Sequence, residues 1–205
     1  MNGPSPLEYG WWLASRSAGV VALIAVSFSV IVGLLMANGL PRRPGAKKPL
    51  LAVHESTALT GLIAISVHGL TLLGDAFMHP SVTDIAVPFT MSYRPIFTGL
   101  GILAGWLAAL LGLSFYVRRT IGARLWRRLH RAMILVWALG VVHVVGAGTD
   151  ANQTWMRAIV LAGAVPIVFL FVRRVLPSEK PARVVRPPAV PRPVTRRPAR
   201  AEVTR

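Results

Sequence analysis

The sequence predicts an all-α membrane protein: a bundle of five transmembrane helices with a disordered C-terminal tail. Three observations predict it. Apolar residues make up 54% of the chain, and the mean hydropathy of +0.57 is too high for an ordinary water-soluble domain. These residues gather into five runs, each long enough for the roughly 20 residues of helix that cross a hydrocarbon core. The basic residues behind the net charge of +16 stand at the ends of those runs, which is a topology signal rather than a nucleic-acid-binding face.

The first span, residues 11–37, opens on Trp11 and Trp12, amphipathic rings suited to the membrane interface. It lacks a basic leading region, is too long for a signal peptide, and is followed by the basic "PRRPGAKK". The second span, 51–74, lies within "LAVHESTALTGLIAISVHGLTLLGD". The third, 95–117, contains Gly101 and Gly105 in "GILAG", a small-xxx-small pattern expected at a close helix crossing. The fourth, 129–148, reads "LHRAMILVWALGVVHVVGAG". The fifth, 155–175, starts at Trp155, holds Pro166 and ends on Arg173 and Arg174. Residues 1–176 thus form the bundle. Residues 177–205 hold seven prolines and eight Lys or Arg against two Glu, a composition that builds no core and predicts a disordered, basic, Pro/Arg-rich cytoplasmic tail.

Charge orients the bundle. Of the 23 Lys and Arg, only Arg16, Arg94 and Arg157 fall towards the end that carries Asp75, Asp84 and Asp150; the other twenty fall at the opposite end or in the tail. The positive-inside rule then predicts a multi-pass cell-membrane protein with its N-terminus outside and its C-terminus in the cytoplasm. Rich use of Ala, Arg, Val and Pro points to a GC-rich bacterial genome. With no cysteine, disulfides, thiolate metal sites and cysteine nucleophiles are excluded. No folded nucleic-acid module accompanies the basic tail.

Four histidines lie inside the spans. His54 and His130 sit near the inner ends of the second and fourth spans, and His68 and His143 near their outer ends. Both spans run the same way, so the pairs fall at matching depths. One membrane histidine is readily an interhelical hydrogen-bonding group; two pairs at two depths suggest ligands, since facing side chains in a bundle core commonly hold a cofactor. Each pair can bind a haem iron from both sides, with the levels roughly 20 Å apart by helical rise. A zinc ion needs ligands that converge on one point. One difficulty is visible: thirteen residues leave His130 and His143 about 140° apart on an ideal helix, whereas the fourteen from His54 to His68 return within about 40°. That pair needs a bulge, a late helix start or differently rotated haems.

At these residues, over roughly 11–175, the chain resembles the ferric reductase-like transmembrane domain family, the cytochrome b core of NADPH oxidases and ferric-chelate reductases. The family carries H-x13-H on one span and H-x12-H two spans later, as His54/His68 and His130/His143 do here. The resemblance implies two b-type haems, the inner on His54/His130 and the outer on His68/His143, passing electrons from a cytoplasmic donor to an external acceptor. The chain departs from the full-length reductases: it has five spans where the family core usually has six, and no flavin- or NADPH-binding domain or G-x-G-x-x-G follows the bundle. The expected donor is therefore a separate flavoprotein or other carrier, and the expected activity that of the membrane subunit of an oxidoreductase. Around the haems, Arg16, Arg94 and Arg131 are candidates for propionates; Arg16 could instead snorkel to headgroups. Gly61 could admit a flat porphyrin or pack a helix, and Trp137 could sit between the haems or simply fill the core. The alternative function is a haem-free scaffold or small transporter whose histidines hydrogen-bond or relay protons.

Overall fold

The computed structural model describes residues 6–40 and 43–176; the tail expected at 177–205 lies outside the described residues, as does Arg42. All regular structure among the described residues is helical. The chain runs α1 (Pro6–Ala37), α2 (Lys47–Thr71), a 3₁₀ turn (Leu72–Gly74), α3 (Val82–Ala86), α4 (Pro95–Leu113), α5 (Arg118–Ile121), α6 (Ala123–His130), α7 (Met133–Ala147) and α8 (Thr154–Val175). Five stretches are long and apolar enough to cross a membrane: Tyr9–Ala37, Lys47–Gly74, Pro95–Leu113, Ala123–Ala147 and Thr154–Val175.

The packing is that of a protein whose solvent is lipid. Large apolar side chains such as Leu59, Ile63, Leu110, Leu161 and Phe169 face outwards, more than half exposed. Many of the buried positions are small: Ser15, Ala22, Ala25, Ser27, Ser29, Gly61, Ala64, Ala104 and Ala108. Lipid tails are as apolar as leucine, so helices gain little by hiding large residues from them. They gain by close backbone approach, which small residues permit.

Four helices form a closed ring. α1 packs along α2, α2 meets α4, α4 packs along α7, and α7 returns to α1, while α8 lies outside against α1. The diagonal helices α2 and α7 have no comparable packing on each other. Those two carry the histidines, so the bundle interior between them is spanned by imidazoles rather than by meshed helices.

Both ends of the ring are tied by polar groups to exposed helix termini. At the acidic end, Tyr93 Oη donates to Ala147 O at 3.3 Å, and the Arg94 guanidinium donates to Gly146 O, so two side chains cap the last turn of α7. Arg94 holds a left-handed backbone, φ 43°, to do this. Arg16 and Asp150 form a bidentate ion pair from α1 to the loop before α8. At the basic end, Arg174 donates to Ala37 O at 2.8 Å and the Asn38 amide to Leu170 O at 3.2 Å, which fixes α8 on α1.

Two elements differ from the sequence expectation. The third span ends at Leu113, not 117: the Ser114 hydroxyl turns back to Leu111 O at 2.6 Å, and three-residue turns carry the chain to Val117. The fourth span begins early, at Ala123, and is interrupted at Arg131–Ala132. Bonds from Ala132 to Leu129, Ile134 to Arg131 and Leu135 to Ala132 span three residues instead of four. A 3₁₀ step turns about 120° per residue against about 100° in an α-helix. Three such steps remove about 60° of the 140° that separates His130 from His143, which is how a thirteen-residue spacing serves one diagonal.

Gly61 tests the small-residue packing. A Cβ there would stand 2.8 Å from Val26 Cγ2, whereas one on Gly10 would meet nothing. Gly61→Val is expected to destabilise the bundle by about 1–3 kcal/mol, and Gly10→Ala to stay within about 1 kcal/mol of the parent, as measured by thermal unfolding in detergent.

Candidate functional site

The histidines of α2 and α7 meet in two pairs. The rings of His54 and His130 lie 6.0 Å apart between centroids, their planes at 85°. Those of His68 and His143 lie 6.2 Å apart at 67°. The four residues are intermediate in exposure although they face the bundle interior, because no neighbouring helix closes over them.

Three of the four rings are held by one repeated device. His68 Nδ1 donates to Ser15 O at 2.8 Å, His54 Nδ1 to Ser29 O at 2.9 Å, and His143 Nδ1 to Phe97 O at 2.9 Å. A carbonyl only accepts, so the proton must sit on Nδ1. Four residues beyond each carbonyl stands a glycine: Gly19, Gly33 and Gly101. A Cβ on Gly19 would come within 3.1 Å of the His68 ring, one on Gly33 within 3.3 Å of His54, and one on Gly101 would overlap His143. The geometry follows from the helix. Side chains tilt towards the N-terminus, so the side chain of residue i+4 covers the carbonyl of residue i. Glycine at that position uncovers the carbonyl, and an imidazole from the next helix can lie on the bare backbone.

On α1 the device is reinforced from the other direction. The Ser15 hydroxyl donates to His68 O at 3.0 Å, and the Ser29 hydroxyl to His54 O at 3.3 Å. Each serine and histidine therefore clasp each other twice, and the two clasps set the antiparallel register of α1 and α2. In sequence this is "SRSAG" and "SVIVG", two S-x3-G motifs fourteen residues apart, matching H-x13-H on the partner helix. That repeated signal was present in the first span but is easily passed over among so many small residues.

His130 is different. Its Nδ1 is buried without a partner, and its ring stacks on Trp126 at 5.0 Å and 24°. It is the last residue of α6, immediately before the break.

In the three cradled rings the proton on Nδ1 leaves the lone pair on Nε2, and none of the four Nε2 atoms has a hydrogen-bond partner among the described residues. A metal held by two imidazoles at about 2.0–2.1 Å from each nitrogen sets the ring centroids about 6 Å apart. Both pairs have that separation. Each level offers two nitrogens only, and no group of three or more His, Asp or Glu that could hold a metal ion occurs among the described residues. The donor set suits a metal whose remaining positions are filled by a planar ligand of its own, as in haem, and does not suit tetrahedral zinc.

The other residues expected around the site are placed as follows. Gly61 packs on Val26 of α1, while Gly101, expected to serve packing, seats His143. Trp137 is buried midway between the levels, and its Nε1 donates to Ser27 Oγ at 3.0 Å. Arg16 is neither a snorkelling side chain nor an unpaired cation: its guanidinium is matched by Asp150 and lies 4.9 Å from the Trp12 ring. Arg94 is committed to the end of α7 and stacks on Tyr93 at 5.6 Å. Arg131 is exposed at the break. Two surface clefts lie away from the histidines: one of about 280 Å³ lined by Met78, Asp84, Met91 and Tyr93, and one of about 340 Å³ between α1 and α8 beside Arg16 and Trp155.

No family model matches the chain, and no curated protein or solved structure matches it.

The tautomers are directly measurable. In protein labelled with ¹⁵N-histidine and prepared without added haem, His54, His68 and His143 are expected to show a protonated Nδ1 and an unprotonated Nε2. Gly101→Val is expected to remove the His143 signature alone, because its side chain covers the Phe97 carbonyl.

Proposed function

We propose that this chain is a di-haem b-type transmembrane electron-transfer protein, the membrane subunit of a reductase that moves electrons from a cytoplasmic donor to an acceptor outside. One observation carries the reading: two imidazole pairs about 6 Å apart between ring centroids, stacked on the diagonal of a four-helix ring, with three of the four Nδ1 atoms engaged so that Nε2 is free to bind. The resemblance of H-x13-H and H-x12-H to the ferric reductase-like transmembrane domain supports it.

Haem, when bound, supplies a reversible one-electron couple at each level. The protein does the rest. His54 with His130, and His68 with His143, would hold the two haems through their Nε2 atoms. The carbonyls of Ser15, Ser29 and Phe97 orient three of these rings and raise their basicity as ligands. Where the protein leaves the histidines open, the bilayer's hydrocarbon would exclude water and keep the local dielectric low. Trp137 fills the interval between levels, which helical rise puts at roughly 20 Å.

The charge distribution orients the molecule in this reading. The basic face, with Arg119, Arg124, Arg127 and Arg128 exposed, is cytoplasmic by the positive-inside rule, and these cations suit a donor flavoprotein with an acidic surface. The acidic face is external, and the His68/His143 level next to it delivers electrons to the acceptor.

The reduced-minus-oxidised visible spectrum of detergent-purified protein, with haem quantified per chain, tests this. Two b-type haems per chain are expected, falling to one in His68→Ala or His143→Ala. A colourless protein from haem-replete cells sinks the reading and leaves a haem-free scaffold or transporter.

A further inference from the structure

We propose that His130 is a displaceable ligand: at the basic-face level its imidazole exchanges for a small neutral diatomic ligand, while the acidic-face level stays closed. The proposal rests on the haem reading above and adds to it a ligand-binding site at one level only.

Four independent features of the chain converge on His130. It alone lacks a backbone cradle. On α4, Phe97 and Gly101 serve His143, and the corresponding stretch for a residue thirteen positions earlier on an antiparallel neighbour is Leu110–Ser114. The glycine there, Gly112, is taken up by Leu62 of α2 at 3.0 Å, and the helix ends at Leu113. No bared carbonyl is left for His130, so its Nδ1 stays buried and unpaired.

The second feature is the platform behind the ring. Trp126 stacks on His130, and its own Nε1 is also buried without a partner. Two neighbouring N–H groups are thus kept from water in the stacked arrangement, and both regain water when α6 swings away. The third feature is the element itself. α6 has eight residues, and among the described residues its backbone packs chiefly against α5 and α4; a short helix with few neighbours opens at little cost. The fourth is its pair of joints. Gly122, at φ 86°, precedes it, and the Arg131–Ala132 break follows it. The opposing ligand, His54, is clasped to Ser29 through both its ring and its carbonyl, so exchange takes place on the His130 side.

The exchange is a ligand substitution without electron transfer. The bond from iron to His130 Nε2 breaks, and a bond from iron to the incoming diatomic forms. The imidazole leaves neutral, and its two nitrogens hydrogen-bond to water at the basic face.

Carbon monoxide is the probe, added to the dithionite-reduced full-length protein after haem has been counted. With two haems per chain, one equivalent of carbon monoxide is expected to bind, changing about half of the reduced absorbance. Trp126→Ala is expected to speed binding severalfold without changing the amount. Gly101→Val, which dislodges His143 from its carbonyl, is expected to raise uptake above one equivalent. His68→Ala, left with the basic-face haem, is expected to bind carbon monoxide at that remaining haem. Two bound haems with no uptake overturn the proposal alone, as does uptake that disappears in His68→Ala. A preparation without haem overturns the parent reading, and this proposal with it.

Discussion

The bundle depends on one contact made three times: an imidazole Nδ1–H donating to a helix carbonyl that a glycine four residues later has left bare. Within a bilayer core no water satisfies an imidazole, and an unpaired N–H there is costly. Helix carbonyls are already bonded to their own N–H groups, but each oxygen has a second lone pair. Reaching it requires that the side chain above be absent. Ser15–Gly19, Ser29–Gly33 and Phe97–Gly101 meet that requirement. A satisfied ring is at the same time a ring of defined tautomer and orientation, so the contact that makes a membrane histidine affordable also leaves Nε2 ready as a ligand.

The four-helix ring follows from the same residues. α1 supplies both cradles for α2, so those helices must run antiparallel with Ser15 beside His68 and Ser29 beside His54. α4 supplies the cradle for His143, and Tyr93 and Arg94 lock its start to the end of α7. Two helix pairs are built in this way, and small residues let them close into a ring: Gly105 on Ile65 and Gly112 on Leu62. Histidines are left on the diagonal because three of the four have turned the Nδ1 edge to a neighbouring helix. The interior gap between α2 and α7 is therefore a consequence of how the rings are satisfied.

The spans were legible in the sequence because lipid imposes a simple demand, a run of apolar residues ended by charge. The pairing of His54 with His130 and of His68 with His143 was legible too, since two parallel spans with matching spacings place them at equal depth. The cradles were not read. Their signal, S-x3-G repeated at the histidine spacing, consists of residues that small-residue packing also favours, so Gly19 and Gly33 carried no distinct mark. Gly61 and Gly101 look alike in sequence for the same reason, and only the structure gives the neighbour of each, Val26 for one and His143 for the other. Arg16 was read without Asp150 because 134 residues separate them. The break at Arg131–Ala132 has no Pro or Gly to announce it; it is imposed by the thirteen-residue spacing that His130 and His143 must satisfy across the bundle.

That spacing divides the two levels. Fourteen residues keep His54 and His68 on one face, and one helix can clasp both. Thirteen residues force α7 to tighten and then stop, and His130 falls on a separate short helix with a tryptophan behind it instead of a carbonyl. Hydrogen bonding to the outer nitrogen raises the basicity of a ligand imidazole and favours the more positively charged state of the metal. The acidic-face level has two such bonds and the basic-face level one. In a di-haem protein, the level nearer the basic face would then hold its electron more tightly, all else being equal. Transfer towards the acidic face would run against that gradient unless the acceptor or the field across the membrane draws the electron onward. Asymmetric second contacts around symmetric histidine pairs thus leave the two levels chemically unequal: two cradled imidazoles at one, and a single cradled imidazole at the other.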